Sequence, residues 1–415
     1  MGKSKINNVI KYKEEFLVSI LLSIYKVELY LEECLDSILA QSYQNLEIVC
    51  VDNGSPDNCG EILLKYQEKD PRIKIITLQD NKMLCGGRNV GLDNATGDFI
   101  CFVDPDDWIE KDWVKSMVNA IEQLDPEGEK YNIVINYNAI NYLVEETTNE
   151  VKILCETSEQ MAKGDYTISD YNKKPEIDTN IPMWGRLYRK KFLDQFSIRF
   201  IEGFQTDNIP YTTKLLAHVK HFYIMSDKNA NNNYWRRLFI KDVSLTNLVL
   251  YKNFELPETL DNLYDYLKIK GLENNVNVMF FRIFEVCFEY HIDQPGYYLA
   301  FKKLMTKMED TIKNNPDVYN SQEVTLCNLL IYSTGFFDFY GRYQSLFGKI
   351  PSSKPYEKNY SIVKLFGFIP LYKKKSYKNT AYYSILGIPI WKIKVINNRY
   401  VYMYLFNFLR ILKKY

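Results

Sequence analysis

One stretch constrains this chain more than any other: Asp98–Trp108, which reads D-F-I-C-F-V-D-P-D-D-W. Phe99 to Val103 is an unbroken apolar run of strand formers. Such a run predicts a strand buried on both faces, hence a parallel sheet covered by helices. It stops on three carboxylates, Asp104, Asp106 and Asp107. In open parallel sheets, ligands gather beyond the carboxyl ends of the strands. Pro105 biases Asp104 toward extended backbone, where residues two apart share a face, so Asp104 and Asp106 are expected to project together. Two parallel carboxylates repel unless a cation sits between them, and a hard divalent ion holding a substrate phosphate meets that need. A purely structural account is also open, in which the loop caps a helix over Glu110–Leu124 and Asp107 is an N-terminal charge.

The rest of the first half supports the same sheet. Phe16–Ile24, Leu46–Val51 and Ile73–Leu78 read as strands, and Val27–Gln41, Asp57–Lys69 and Gly87–Asn94 as helices. Alternating elements at this spacing predict a doubly wound, mostly parallel α/β sheet. Right-handed crossovers then bring Ser23–Tyr25, Asp52–Ser55 and Asp104–Asp107 around one crevice. Gly86-Gly87-Arg88-Asn89-x-Gly91 lacks the G-x-G-x-x-G order of a dinucleotide fingerprint and follows the third strand, not the first. It is expected to form a tight loop with backbone N–H groups and Arg88 facing phosphate, or merely a turn.

The sequence L-V-S-I-L-L-S-I-Y-K, then L-E-I-V-C-V-D-N-G-S-P-D-N, then G-G-R-N-V-G-L-D-N-A-T-G-D-F-I-C-F-V-D-P-D-D-W resembles the family 2 glycosyltransferases of the GT-A fold. M-W-G-R-L-Y-R-K-K-F-L, R-F-I-E-G-F-Q-T-D-N and Y-W-R-R resemble that family's acceptor-side half, so the likeness covers about residues 16–247. It implies a nucleotide-sugar donor, most simply a UDP-sugar. Tyr25 would stack on the base with Ser23 beside it, and Asp52 and Asn53 would sit at base and ribose. Asp104 would bind the ribose or metal, and Asp106 would ligate Mg2+ or Mn2+ at the diphosphate. Arg88 belongs to the same donor-binding set. Asp207 would be the catalytic base, with Trp184 and Glu202 on the acceptor side.

Three departures stand out. The family's Asp-Asp-Gly-Ser is Asp52-Asn53-Gly54-Ser55 here, its Pro-x-Tyr-Asn is Ser23-Ile24-Tyr25-Lys26, and its Glu-Asp is Thr206-Asp207. Asn53 can still pair with a base edge, because an amide both donates and accepts. Loss of a like charge beside Asp207 lowers its proton affinity, leaving a weaker base. A displacement with inversion needs one base, a job worth roughly 10²–10⁴ in rate. Asp207 could also cap a helix over Asn208–Ala217. His218 and His221 are read as packing or surface residues, and Arg236 and Arg237 as diphosphate contacts or a solvated pair.

Beyond Asn247 the likeness ends. Leu260–Leu267, Val278–His291, Tyr297–Ile312 and Val324–Tyr340 are expected to be helices of an extension over 248–348. Charge then separates: residues 349–415 hold 14 Lys or Arg and one acid, Glu357, although the whole chain has 52 of each sign. L-F-G-F-I-P-L-Y-K-K-K at 365–375 recurs as I-L-G-I-P-I-W-K-I-K at 385–394, and Tyr400–Leu412 is expected to close the chain as a short helix. Aromatics with lysines suit the headgroup region of an anionic membrane. β-hairpins docked on the acidic catalytic domain, or an oligomer contact, are the alternative. A nucleic-acid partner is disfavoured, since these basic residues lie among apolar repeats rather than on a stacking platform. The cysteines (34, 50, 59, 85, 101, 155, 287, 327) form no C-x-x-C pair and read as reduced core residues. No signal peptide and no spanning segment is expected.

The expected architecture is thus a GT-A-like α/β domain over 1–247, a helical extension over 248–348 and a basic amphipathic tail over 349–415. The expected function is inverting, metal-dependent sugar transfer to a growing surface glycan or lipid-linked glycan, at the cytoplasmic face of a membrane. A catalytically silent nucleotide-sugar binder and a membrane-recruiting scaffold are the competing classes.

Overall fold

The computed structural model describes residues 16–125, 130–136, 138–144, 151–156, 163–167, 170, 183–202, 208–225, 232–238, 255–272, 295–314 and 321–347, and the strand residues between 360 and 414. Two compact units are distinguished, one of residues 1–249 with 266–279, the other of 250–265 with 280–415.

In the first unit, strands β1 (Val18–Ile24), β2 (Leu46–Asp52), β3 (Ile73–Thr77) and β4 (Phe99–Phe102) alternate with helices α1 (Glu28–Leu39), α2 (Cys59–Lys69) and α3 (Met83–Asn94). With β6 (Ile133–Asn136), β9 (Gly164–Thr167), β10 (Arg186–Arg189) and β11 (His221–Met225) they form one sheet in the order β3-β2-β1-β4-β10-β6-β11-β9. Pairing is parallel from β3 through β4 and antiparallel on both sides of β10. Strand order reverses at β1, so the ends of β1, β2 and β4 meet at one crevice, as expected from the sequence. Ile24 lies opposite Asp52, and Leu21 opposite Phe102, which sets how far each loop projects.

The strands are buried because nearly every position is apolar. Ile20, Leu22 and Ile24 pack with Leu31, Leu35 and Ile38 of α1, all of them fully buried. Each such side chain contributes roughly 1.5–3 kcal/mol of transfer free energy. The thiols of Cys34, Cys50, Cys59, Cys85, Cys101 and Cys327 are free and buried, as their apolar neighbours in the sequence implied.

Two expectations change in this region. Helix α3 starts at Met83, so Gly86 and Gly87 lie inside a helix rather than in a phosphate-facing loop. Helix α4 (Trp113–Leu124) starts three residues later than Glu110, because Trp108–Ile109 is a strand, β5. Strand β5 belongs to a second sheet, ordered β5-β12-β7-β8, with β7 (Ala139–Val144), β8 (Val151–Glu156) and β12 (Tyr234–Leu238). Helices α5 (Lys190–Gln195) and α6 (Asn208–His218) complete the described part of this region.

Helices α7 (Glu255–Lys270), α8 (Pro295–Asn314), α9 (Ser321–Tyr332) and α10 (Phe336–Phe347) follow. In the second unit Asp261 pairs with Lys303 and Lys307 at 2.6 Å each. The single helix expected over Val324–Tyr340 is two, broken at Ser333–Gly335, and Val278–His291 lies outside the described residues. Among the described residues no helix is long and apolar enough to cross a membrane.

Residues 360–414 form a third sheet, an antiparallel meander of β13 (Tyr360–Leu365), β14 (Ile369–Ser376), β15 (Thr380–Ile385), β16 (Ile388–Ile396), β17 (Tyr400–Leu405) and β18 (Leu409–Lys414). The helix expected over Tyr400–Leu412 is therefore a β-hairpin. Its sequence Y-V-Y-M-Y-L alternates with period two, which suits a strand and leaves no helical stripe.

Candidate active site

The crevice is built from the loop after β2 outward. Asn53 donates its backbone N–H to Ile24 O at 2.9 Å, locking the ends of β1 and β2 together. Its side chain donates to Met83 O at 2.8 Å and accepts the Lys82 N–H at 2.9 Å. Both ends of this buried amide are thus committed to the backbone that opens α3. Asp52, also buried, accepts the Ser55 N–H at 2.9 Å. Between them Gly54 has φ +68°, and a Cβ there would lie 2.9 Å from Asn81 N. Only glycine fits that turn.

Helix α3 approaches β1 closely. A Cβ on Gly87 would lie 2.2 Å from Ser23 Oγ and 3.0 Å from Asn53 Nδ2. Close backbone approach, not a phosphate cradle, accounts for this glycine. One residue on, Arg88 is buried and its guanidinium pairs with Asp104 Oδ1 at 2.7 Å, with the rings of Phe102 and Phe200 5.8 and 5.5 Å away. The expected phosphate contact is thus, in this structure, an ion pair with a site carboxylate. Tyr25 lies at the rim, 37% exposed, with the Lys26 ammonium 5.2 Å from its ring centroid.

Beyond β4 the chain turns instead of remaining extended: Asp107 donates its N–H to Asp104 O at 3.0 Å, closing a turn around Pro105 and Asp106. Asp104 and Asp106 are therefore brought together by a turn, not by strand alternation. Burial and the charge of Asp104 push the Asp106 carboxyl up to about 6. Burial, then the charges of Asp106 and Asp104, push Asp107 well above the usual carboxylate range.

Asp107 is not a helix cap. Tyr234 Oη donates to its Oδ2 at 3.0 Å, and the Arg237 N–H donates to its Oδ1 at 2.8 Å. Tyr234 Oη also accepts the Asp104 N–H at 3.0 Å. Arg237 donates through Nε to Asp106 O at 3.1 Å, pairs with Glu33, and lies 4.6 Å from the Tyr30 ring centroid. It is a clamp on the acidic turn rather than a solvated cation. Trp184 stacks on Tyr234 at 4.8 Å. Glu202 accepts from Asn89 Nδ2 at 3.1 Å, and Asn89 is held in turn by Phe200 N and O. His218 stacks on Phe196 and the partly exposed His221 opens β11, in line with packing or surface positions.

The structure thus gathers Ser23, Asp52, Asn53, Arg88, Asp104 and Asp106 at the ends of β1, β2 and β4. Asp207 and Thr206 lie outside the described residues. Tyr234 and the true place of Arg237 escaped sequence reasoning. The Y-W-R-R motif pointed to their strand, but the strand's contact with Asp107 spans over a hundred residues.

A doubly wound sheet with an acidic turn at the point where strand order reverses defines the class of open α/β domains whose ligands gather at that crevice. Residues 19–196 match the model for glycosyl transferase family 2, and the chain carries a domain of that family. Over 189 residues it is 34% identical to glycosyltransferase GlyA of Streptococcus pneumoniae, covering 45% of this chain and 26% of that protein. Over 186 residues it is 32% identical to the putative glycosyltransferase EpsH of Bacillus subtilis, covering 44% of this chain and 50% of that protein. The match thus spans about a quarter of the first relative and half of the second. The structure superposes on S. aureus TarS 1–349 with a TM-score of 0.61 at 18% identity, covering 90% of this chain and 100% of that one. That likeness establishes the fold, which is of the GT-A type. TarS has also been solved with UDP-GlcNAc.

Proposed function

We propose that this protein transfers a sugar from a nucleotide-sugar donor to a hydroxyl of a growing surface glycan, with inversion, in a metal-dependent reaction. The observation that carries this reading is the crowding of Asp104 and Asp106 in one turn where β1, β2 and β4 end, with Asp106 pushed up to about 6 by burial and its neighbour's charge. Such a site has surplus negative charge, only part of which Arg88 balances.

The residues fit a hard divalent ion. Among the described residues no group of three or more His, Cys, Asp or Glu side chains is arranged to hold a metal. Two carboxylates are nonetheless what Mg2+ commonly takes beside substrate phosphates. Asp104 and Asp106 would hold Mg2+ or Mn2+, and the ion would neutralise charge on the departing diphosphate. The chain's own groups do the remaining work. Tyr25 offers a ring to the base, and Ser23, Asp52 and Asn53 define the base and ribose side. Arg88 holds Asp104, Tyr234 and Arg237 hold the turn, Asp207 removes the acceptor proton, and Trp184 and Glu202 border the acceptor. The organisation we assign is a catalytic part over 1–247, a helical extension over 248–348 and a basic part over 349–415 suited to an anionic partner. A UDP-sugar is the donor we favour, by extension from the TarS complex.

Thermal unfolding with a panel of nucleotide sugars tests this, with and without Mn2+. A bound donor raises apparent stability by mass action, about 2.7 kcal/mol at a hundredfold excess over Kd. Stabilisation should require both metal and one donor class, and Asp106→Asn should fold yet lose it together with transfer. Normal turnover by that variant, or in excess chelator, overturns the metal reading. Binding without any turnover would identify a silent nucleotide-sugar binder.

A further inference from the structure

Arg186 carries a charge that the fold leaves unanswered. It is 1% exposed, and none of Nε, Nη1 and Nη2 meets an acceptor at hydrogen-bonding geometry. The Tyr211 hydroxyl, on α6, is likewise buried and without a hydrogen-bond partner. Buried polar groups are normally satisfied, and a lone buried charge is among the costliest exceptions.

Strand register places these two donors. Tyr188 lies opposite Ile100 of β4, so Arg186, two residues earlier on β10, stands level with Phe102. Phe102 is two residues short of Asp104. Residues two apart on a strand share a face, which puts Arg186 on the side of Tyr188. The rings of Tyr188 and Tyr211 are 6.2 Å apart, and both meet Phe102 edge-on, at 5.8 and 6.2 Å. Burial pushes both phenols up, Tyr188 to about 12, and the Arg186 charge opposes that rise in each. The proton of Tyr188 is already given to Met183 O at 3.1 Å. On the same rings of Phe102 and Phe200 rests Arg88, the partner of Asp104.

We propose that Arg186 and Tyr211 form an oxyanion pocket that takes a phosphate oxygen of the donor's diphosphate. This rests on the glycosyltransferase reading and adds two residues to its donor site. A guanidinium has only donors to offer, and the phenol beside it has a free O–H, so the group that satisfies both is acceptor-only and anionic. The pocket adjoins β4 just below the turn where the diphosphate is placed. Phe200, stacked on Tyr211 at 4.1 Å, and Met183 both belong to loops, so they can move aside without breaking the sheet. Away from water the pair so formed is stronger than at the surface. The empty protein bears the cost of the lone charge, and the ligand removes it.

The test is calorimetric binding of UDP, uridine and inorganic pyrophosphate to the full chain in Mg2+, with thermal unfolding of the same preparations. Arg186→Met, similar in reach and uncharged, should unfold at a higher temperature than the unaltered protein, because the lone charge is gone. Its affinity for UDP and pyrophosphate should fall roughly ten- to a hundredfold, the worth of a hydrogen bond to a charged group, with uridine binding unchanged. Tyr211→Phe removes only the hydroxyl and should weaken UDP and pyrophosphate by roughly three- to tenfold, again sparing uridine. A lower unfolding temperature for Arg186→Met makes Arg186 a structural residue and overturns the proposal. So do equal losses of UDP and uridine, or pyrophosphate that does not bind or binds both variants normally. Sugar transfer by the unaltered chain is measured separately. Pyrophosphate binding that depends on Arg186, in a chain that turns over no nucleotide sugar, leaves the pocket standing and overturns the glycosyltransferase reading alone.

Discussion

Tyr234 and Asp107 are joined by a 3.0 Å hydrogen bond from phenol to buried carboxylate, and the same phenol oxygen accepts the N–H of Asp104. One hydroxyl on β12 thereby holds both ends of the acidic turn. Tyr234→Phe keeps the ring and its stack on Trp184 but leaves a partly buried donor, the Asp104 N–H, and the buried Asp107 carboxylate each short of a partner. That should destabilise the protein by about 1–3 kcal/mol. Transfer should fall by more than the lost stability explains, because the turn carrying Asp104 and Asp106 loosens. Denaturant unfolding and initial rates on the same preparation check both. An unchanged rate would show that Arg237 alone suffices to hold the turn.

Gly87→Ala sets two effects against each other. Ala is favoured over Gly inside a helix by roughly 1 kcal/mol. The new Cβ, however, would lie 2.2 Å from Ser23 Oγ and 3.0 Å from Asn53 Nδ2. Ser23 can rotate, but Asn53 is held by Lys82 and Met83. Overpacking of this kind costs about 1–3 kcal/mol, so net destabilisation is expected. The double variant Ser23→Ala/Gly87→Ala should recover part of it. No recovery would place the clash on Asn53 alone.

Asp57 supplies a pH dependence remote from the acidic turn. It accepts from Ser55 Oγ, from Glu28 N at 3.1 Å and from Cys59 N at 3.4 Å, tying the starts of α1 and α2 together. Burial pushes this carboxyl up, but the hydrogen bonds from Ser55, Cys59 and Glu28 outweigh it and hold it below its usual range. A lowered carboxylate stabilises the fold fully above its unfolded value of about 3.9, and that stability is lost as pH falls through the folded value. Asp57→Asn should therefore cost about 1–2 kcal/mol at pH 7, the worth of helix-capping bonds, and progressively less below pH 4. Unfolding at pH 7 and pH 3 gives the comparison. A constant difference would mean that its ionisation contributes nothing.

Asp207→Asn isolates the proposed base. Donor and metal binding should survive while transfer falls by roughly 10²–10⁴, the usual range for a general base. Loss of donor affinity in equal measure would make Asp207 a structural residue, and retained transfer would move the role to Glu202.

The doubly wound sheet was legible because its strands are unbroken apolar runs and its helices carry one apolar face. Local pattern and global burial agree there. The same holds for Asp104–Asp107, whose place at a strand end follows from the run before it. Residues 360–414 carried an equally local signal in their period-two alternation, obscured by aromatics that also suit a helix. What tertiary structure alone decided is the pairing. Sequence leaves Asn53 as a candidate base reader, Arg88 as a phosphate contact and Arg237 as a diphosphate contact or a solvated cation. Folding sets them against Lys82 and Met83, Asp104, and Asp106 with Asp107. Those partners lie from 16 to over 100 residues away, and a side chain able to bond in many directions takes the partner that the sheet order brings near. Strand periodicity is a property of neighbours in sequence, and so it can be read from sequence. Which buried charge meets which is a property of neighbours in space.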